Sequence, residues 1–562
     1  MKTHPFFSSI KIPKSFRWFV LLFFILFLAT WLRLTNTYYA TNVDEPNVMK
    51  RAVQIADGQW HIRWYNWPAQ SLMRLNAAPV RIAAAWFNYQ DDSQKPRTAQ
   101  YWYEHKLSDI LVIGHVVTTI FAIFSIIVMY QIGVLLRDQK TGVIAALFLS
   151  VSSLHVLHSH FATPDVPMSW AMLAVLWCAL QLLHLNFNDQ KKQLLLSVTA
   201  GAVIGFAVAT KYTGVMTAVP LFLVAGVLLY RDKRKYKKIA QLTIVTMLAA
   251  IVVHMILNPF FFVDFVGIVQ QIQYEAGGDR LGVDFTGERF VSLRNLWFYV
   301  SGALLWNGTT IALLGYGSII APLCVYRTKK NTPLRIFALY YIIFLVALSL
   351  LQLHWSRWSM PLVTLLPLFA AISVSVIWDF ALQRFPSYKK SITSIFCILL
   401  FLMTLPQLVI GIMENNQWRA KTTDAMVLEY ITSNHPVTDR FFSDTYYVHQ
   451  EPYYVSQRRI DLYAFSFEEL LDQDIHYVVV KPSRLTNAQK KPDAYPDIIR
   501  FFHSLETRGE LLYTARDTCS NILQKKRDDQ FFSALLLQGR QSWRKNFTTC
   551  ETGATIQVYR IQ

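Results

Sequence analysis

Residues 215–257 read VMTAVPLFLVAGVLLY, then RDKRKYKK, then IAQLTIVTMLAAIVVHMIL: two uncharged apolar blocks around a connection in which six of eight residues are Lys or Arg. A helix of roughly 20 apolar residues crosses ~30 Å of hydrocarbon, and neither block carries the polar face that a helix on a soluble core would need. The stretch therefore reads as two membrane spans joined by a short basic turn. Outward from it the pattern repeats, giving about eleven spans at 16–34, 107–136, 142–161, 166–185, 194–210, 215–230, 239–257, 296–326, 334–351, 359–378 and 392–413. The composition agrees: 53% of the 562 residues are hydrophobic and 16% charged, where a soluble domain has about 25% charged residues. A single soluble enzyme domain, a disordered chain, a collagen and a disulfide mini-scaffold are all excluded.

The charge is placed as unevenly as the hydrophobicity. Residues 413–562 carry 19 basic and 19 acidic residues, so the whole net charge of +18 lies in residues 1–412, with 35 basic against 17 acidic. With the N-terminus inside, alternate connections (2–17, 137–140, 186–192, 231–238, 327–335 and 379–390) hold 21 of those 35 cations and four acids. That bias is a membrane protein's positive-inside pattern, so the sequence pI of 9.5 is no sign of nucleic-acid binding. The N-terminus is expected in the cytoplasm, with the first span an uncleaved signal anchor and the C-terminal region exterior.

The expected fold is an all-α polytopic membrane domain, residues 1–413, followed by a small exterior α/β domain, residues 414–562. Within the first, segments 38–106 and 258–295 face the exterior. PNVMKRAVQIA and SLMRLNAAPVRIAAAWF space apolar residues three to four apart, as helices lying along a membrane surface do. In the second, DAMVLEYITSN and YPDIIRFFHSLE read as helices and IHYVVVK, ELLYTA and TIQVYRI as strands. Cys178, Cys324 and Cys397 fall in apolar spans, while Cys519 and Cys550 share the exterior domain, where oxidation permits a disulfide between them. GAVIG at 201–205 is a small-xxx-small packing face.

No Walker loop, GxGxxG after a strand, GxSxG or paired CxxC is present. The residues that can carry chemistry are the ionisable ones at the exterior ends of the spans: Asp44 and Glu45, Asp165, Lys211, His254 with Asn258, and His354 with Arg357. Charged groups at such depth are functional candidates by default. Each also has a structural reading. Asp44 before Pro46, and Asp165 between Pro164 and Pro167, can cap helices; Lys211 can snorkel; the Trp-flanked Arg357 can anchor an interface; His254 can be a hydrogen-bonded interior histidine.

The DE pair at 44–45, then TPD within GVIAALFLSVSSLHVLHSHFATPDVPMSWAMLAVL (142–176), TKY within GAVIGFAVATKYTGVMTAVPLFL (201–223) and HWSRWSMPLVTLLPLFAAI (354–372) resemble a known family. It is the GT-C glycosyltransferases of the dolichyl-phosphate-mannose protein mannosyltransferase type, which include the aminoarabinose transferase that modifies lipid A. The resemblance implies transfer of one sugar, with inversion, from a polyprenyl-phosphate donor to a protein, lipid or glycan acceptor on the exterior face. Asp44 matches the family's first-loop catalytic aspartate, with Glu45 beside it. Lys211 and Arg357 are candidates for the donor phosphate on charge and depth, and Asp165, His354, His254 and Asn258 for further substrate contacts. Some members carry a divalent metal, for which no ligands are assigned here. Two other functions fit the topology: a transporter or flippase of lipid-linked glycans, expected to show paired halves and broken helices, and a non-catalytic glycan-binding membrane protein.

Overall fold

Hydrocarbon offers backbone N–H and C=O groups no partners, so the apolar blocks satisfy them internally as helices. The structure, a computed structural model, describes residues 14–39, 44–60, 62, 69–91, 96–184, 189–261, 263–276, 292–324, 332–351, 355–417, 423–436, 438–443, 463, 465–489, 492–493, 495–516 and 555–561. His354, Cys519 and Cys550 lie outside these residues. Helix α1 (Lys14–Leu34) is followed by α2 (Glu45–Ala56), α3 (Gln70–Gln90) and α4 (Ala99–His105), and then by the long α5 (Leu107–Leu136). Next come α6 (Gln139–Val151), α7 (Ser153–Ser159), α8 (Asp165–His184), α9 (Gln190–Thr210), α10 (Val219–Arg231), α11 (Tyr236–Leu257) and α12 (Phe265–Ala276). The helical part ends with α13 (Ser292–Trp306), α14 (Thr309–Cys324), α15 (Thr332–Ser349), α16 (Met360–Arg384) and α17 (Lys389–Gln417).

Among the described residues nine helices are long and apolar enough to span a membrane, and α6 with α7, bent by 61°, make a tenth. The remaining apolar block, 296–326, is not one tilted helix. It is the pair α13 and α14, broken at Gly308, whose φ of +86° is open to glycine and strained for other residues. Helices α9 and α11 pack closely along the GAVIG face: a Cβ on Gly201 would lie 2.2 Å from the Thr246 carbonyl oxygen, and one on Gly205 2.3 Å from that of Ala250. Helices α2 and α3 bury the apolar faces read from their spacing, with Val48, Met49 and Val53 against Leu72 and Met73, over Ile110 and Leu111 of α5.

The C-terminal part is an α/β unit. Strands β1 (Phe441–Ser443), β2 (Tyr477–Val480), β3 (Gly509–Ala515) and β4 (Ile556–Ile561) form one sheet in the order β1-β2-β4-β3, with β1 parallel to β2 and the other pairs antiparallel. The period of two along β2 assigns its faces. Val478 and Val480 join Phe467, Phe501, Phe502 and Leu505 on one side, and Val479 joins Val427 and Ile431 on the other.

The bend between α6 and α7 is the feature the sequence hid. Where the helix breaks, carbonyls near its end lose their i+4 donors. Arg33, fully buried near the end of α1, supplies replacements: its guanidinium donates to the carbonyls of Ser150 (2.9 Å), Leu149 (3.4 Å) and Ala29 (3.0 Å) and to Nδ1 of His155 (3.0 Å). A cation at a helix C-terminus also complements the helix dipole. From the other side, Gln407 of α17 accepts from the Ser153 amide (3.3 Å) and donates to the Leu305 carbonyl (3.0 Å), while the Ser152 and Ser153 hydroxyls donate to the Trp306 carbonyl (3.2 Å each). Three distant helices thereby hold one kink. Arg33→Met should lower stability by about 2 kcal/mol or more, because each buried carbonyl stripped of its donor costs ~1–3 kcal/mol. Thermal unfolding in detergent measures it, and an unchanged midpoint would deny the cap this role.

Candidate active site

The bend aims the segment after α7 at the start of α2. There Glu45, with no exposed surface, accepts the Ala162 amide N–H on Oε1 at 2.7 Å and meets Nε2 of His115 at 2.6 Å. His115 Nδ1 faces the Thr37 carbonyl oxygen at 3.1 Å. Both ring nitrogens of His115 thus face oxygen atoms, which fixes the ring between Thr37 and Glu45. Gly114 makes the approach possible, since a Cβ there would lie 2.5 Å from that of Ala162. The phenol of Tyr103 is held above its ordinary value, first by burial and then by the nearby Glu45 carboxylate, so it stays protonated.

This clamp fixes its chain neighbour, Asp44. Asp44 does occupy the N-cap position of α2, with a proline in the first turn, yet its side chain makes no capping hydrogen bond. Its Oδ2 instead accepts from Nη1 of Arg357, in an ion pair whose side chains are 20% and 25% exposed respectively. Arg357 lies in the 3₁₀ turn Ser356–Ser359 that leads into α16, with its guanidinium carbon 5.4 Å from the ring centroid of Trp355.

A second pair lies deeper. Asp165, the first residue of α8, accepts from Nζ of Lys211 at 2.7 Å, and their side chains are 3% and 16% exposed. Lys211 follows the last turn of α9, whose Thr210 is fixed by α3: its carbonyl accepts the Ala69 amide (3.1 Å), and its hydroxyl lies 2.5 Å from that of Ser71. Both carboxylates therefore have basic partners, and the two cations singled out in the sequence are those partners. Segment 162–165 joins the pairs through Glu45.

His254 and Asn258 stand at the exit of α11, which α3 holds through Arg74 Nε donating to the Leu257 carbonyl at 2.9 Å. Both are buried, and their ring and side-chain amide atoms make no hydrogen bond. The His254 ring is edge-on to Phe261, with centroids 4.6 Å apart. Among the described residues no hydrogen bond joins these two side chains to the ion pairs. Sequence reasoning missed His115 and Arg33, although each is a lone ionisable group in or at the end of an apolar span, the signal that marked the others. Among the described residues no three His, Cys, Asp or Glu side chains converge as a metal-ligand set.

Residues 111–257 match the family model described as dolichyl-phosphate-mannose-protein mannosyltransferase. No curated protein matches the sequence. Solved structures similar in fold include the Archaeoglobus fulgidus oligosaccharyltransferase AglB in complex with an inhibitory peptide and a dolichol-phosphate, at 11% identity and TM-score 0.59 over 97% of this chain and 89% of that one. The Archaeoglobus fulgidus oligosaccharyltransferase in complex with Zn and sulfate gives 12% identity and TM-score 0.58 over 96% and 88%. ArnT from Cupriavidus metallidurans bound to undecaprenyl phosphate gives 12% identity and TM-score 0.54 over 85% and 95%. A multi-pass helical domain with a small C-terminal sheet, aligned with these proteins over most of its length and carrying the mannosyltransferase match in residues 111–257, has the GT-C fold of membrane glycosyltransferases.

Proposed function

We propose that this protein transfers a sugar, with inversion, from a polyprenyl-phosphate donor to an acceptor on the exterior face of the membrane. The observation that carries the reading is the coupling of two carboxylate–cation pairs, Asp44 with Arg357 and Asp165 with Lys211, through the Glu45 clamp. The dolichol-phosphate and undecaprenyl phosphate in the structures of similar fold support the donor class.

The chemistry asks for few groups. The acceptor oxygen attacks the anomeric carbon, the bond from that carbon to the phosphate oxygen breaks, and the electron pair leaves on the phosphate. A lipid phosphate departs without a strong general acid, so the protein must take the acceptor's proton and hold the phosphate's charge. Asp44 takes the proton and Arg357 binds the phosphate. An arriving phosphate competes with Asp44 for the guanidinium, and each step toward phosphate contact releases the carboxylate to act as base. Glu45, enclosed by His115 and Ala162, positions Asp44 rather than meeting substrate. No step is assigned to a metal, because the described residues supply no three-ligand set.

Asp44→Asn keeps the shape but cannot accept a proton at neutral pH. Transfer from a radiolabelled polyprenyl-phosphate sugar should fall about 10²- to 10⁴-fold, with the protein still folded by size-exclusion chromatography. Activity equal to wild type would remove Asp44 as the base. Glu45→Gln should give a milder loss in rate together with a lower unfolding midpoint.

The deeper pair needs a different test. Lys211→Met leaves Asp165 buried without its cation, which typically costs about 3–5 kcal/mol. A double variant that also carries Asp165→Asn should recover much of that stability while donor use stays impaired. Recovery of both would make the pair structural only.

Exterior placement rests on the basic connections. A maleimide that cannot cross the membrane should label Ser483→Cys from outside and leave Lys237→Cys untouched, in a background lacking the native cysteines. Labelling of both from the same side would remove the sidedness.

A further inference from the structure

A cleft lined by none of the ion-pair residues plays no part in the proposed reaction. It opens among α8, α9, α10 and α11 as a groove of about 100 Å³. Leu182, Leu221, Leu228 and Met247 give it apolar walls, and Gln193 and Ser197 add polar atoms. Ser197 is fully buried, and its hydroxyl has no hydrogen-bond partner. Helix direction sets the depth: α9 ends at Thr210, beside Lys211, so Ser197 is about 20 Å back along the axis at 1.5 Å per residue. The end of the cleft lined by Gln193, Leu228 and Ile239 lies farther still from Lys211 along the helices.

That end is strongly cationic. Lys191 and Lys192 precede Gln193 on α9; Arg231, Lys233, Arg234 and Lys237 occupy the turn between Leu228 and Ile239, all of them exposed. The acid within that turn, Asp232, is already engaged by Lys235 at 3.3 Å. Tyr230 and Tyr236, 72% and 56% exposed, flank the turn as aromatic residues do at headgroup level. Helices α10 and α11 bury little of their own surface: in the spans that contain them, 22% and 11% of the most apolar window is buried inside the protein.

We propose that this cleft binds an anionic glycerophospholipid, with an acyl chain in the slot, the glycerol region at Ser197 and the phosphate at the Lys/Arg collar. Charge complementarity selects the occupant. An apolar slot alone would accept any chain, whereas basic pockets between membrane helices retain anionic headgroups. A lipid seated there supplies the packing that α10 and α11 lack. The inference does not depend on the sugar transfer, so failure of either leaves the other standing.

Native mass spectrometry of the full-length protein, titrated with phosphatidylglycerol or with phosphatidylcholine of the same chains, tests it. Wild type should retain one phosphatidylglycerol with at least about tenfold preference. The triple variant Lys233→Gln, Arg234→Gln, Lys237→Gln changes exposed side chains only and should abolish the preference. Ala225→Trp, which fills the slot, should remove that bound lipid. Undiminished preference in the triple variant would overturn the proposal, whatever the fate of Ala225→Trp. So would displacement of phosphatidylglycerol from wild type by equimolar polyprenyl phosphate, which would assign the slot to the tail of the donor.

Discussion

A buried guanidinium with no carboxylate beside it is costly unless its N–H groups all find acceptors. Arg33 comes near that condition only because α6 breaks where it does: the break frees the Ser150 and Leu149 carbonyls, so both terminal nitrogens find acceptors and Nε alone is left without one. An unbroken helix would carry the chain after Ser159 along its own axis. The kink turns it toward α2 instead, where the Ala162 amide reaches Glu45 and Asp165 meets Lys211. Site geometry thus depends on a hydrogen-bond exchange between the first span and a broken one.

Much of the architecture was legible because a membrane narrows the choices. Uncharged runs of about 20 residues become helices there, and ten of the eleven blocks read from the sequence correspond to a spanning helix or to the bent pair. The bend itself was not legible: Ser152 and Ser153 lie in an apolar run whose periodicity stays helical on both sides, and the residues that stabilise the break are Arg33, Trp306 and Gln407, more than 100 positions away. The break at Gly308 did carry a local signal, the turn dipeptide Asn307–Gly308, set inside an otherwise apolar block.

The candidate site divides in the same way. Asp44, Asp165, Lys211 and Arg357 could be chosen one by one, from charge at the end of an apolar block. How they pair could not, because Asp44 and Arg357 are separated by 313 residues and Asp165 and Lys211 by 46. The two readings of Asp44 divide at the side chain: the backbone takes the N-cap position, and the carboxylate goes to Arg357. Glu45 looked like the second half of a catalytic pair and instead lies behind the first half, held by a histidine that the surrounding apolar span concealed.

Depth then separates the two ion pairs in kind. Attraction between charges grows as water is excluded, and so does the cost of separating them. Asp165–Lys211, at 3% and 16% exposure, is the pair that resists opening; Asp44–Arg357, at 20% and 25%, is closer to water and easier to exchange. A transferase that must admit an anion and free a base within one turnover needs its exchangeable pair nearer water and its rigid pair beneath. The two pairs have that order of exposure, with the Glu45 clamp between them, so in the proposed reaction the outer cation meets the donor phosphate first and Lys211, held by Asp165, backs it from beneath. In the proposed reaction the acceptor approaches on the Asp44 side, because its proton leaves toward the carboxylate that the phosphate has just released.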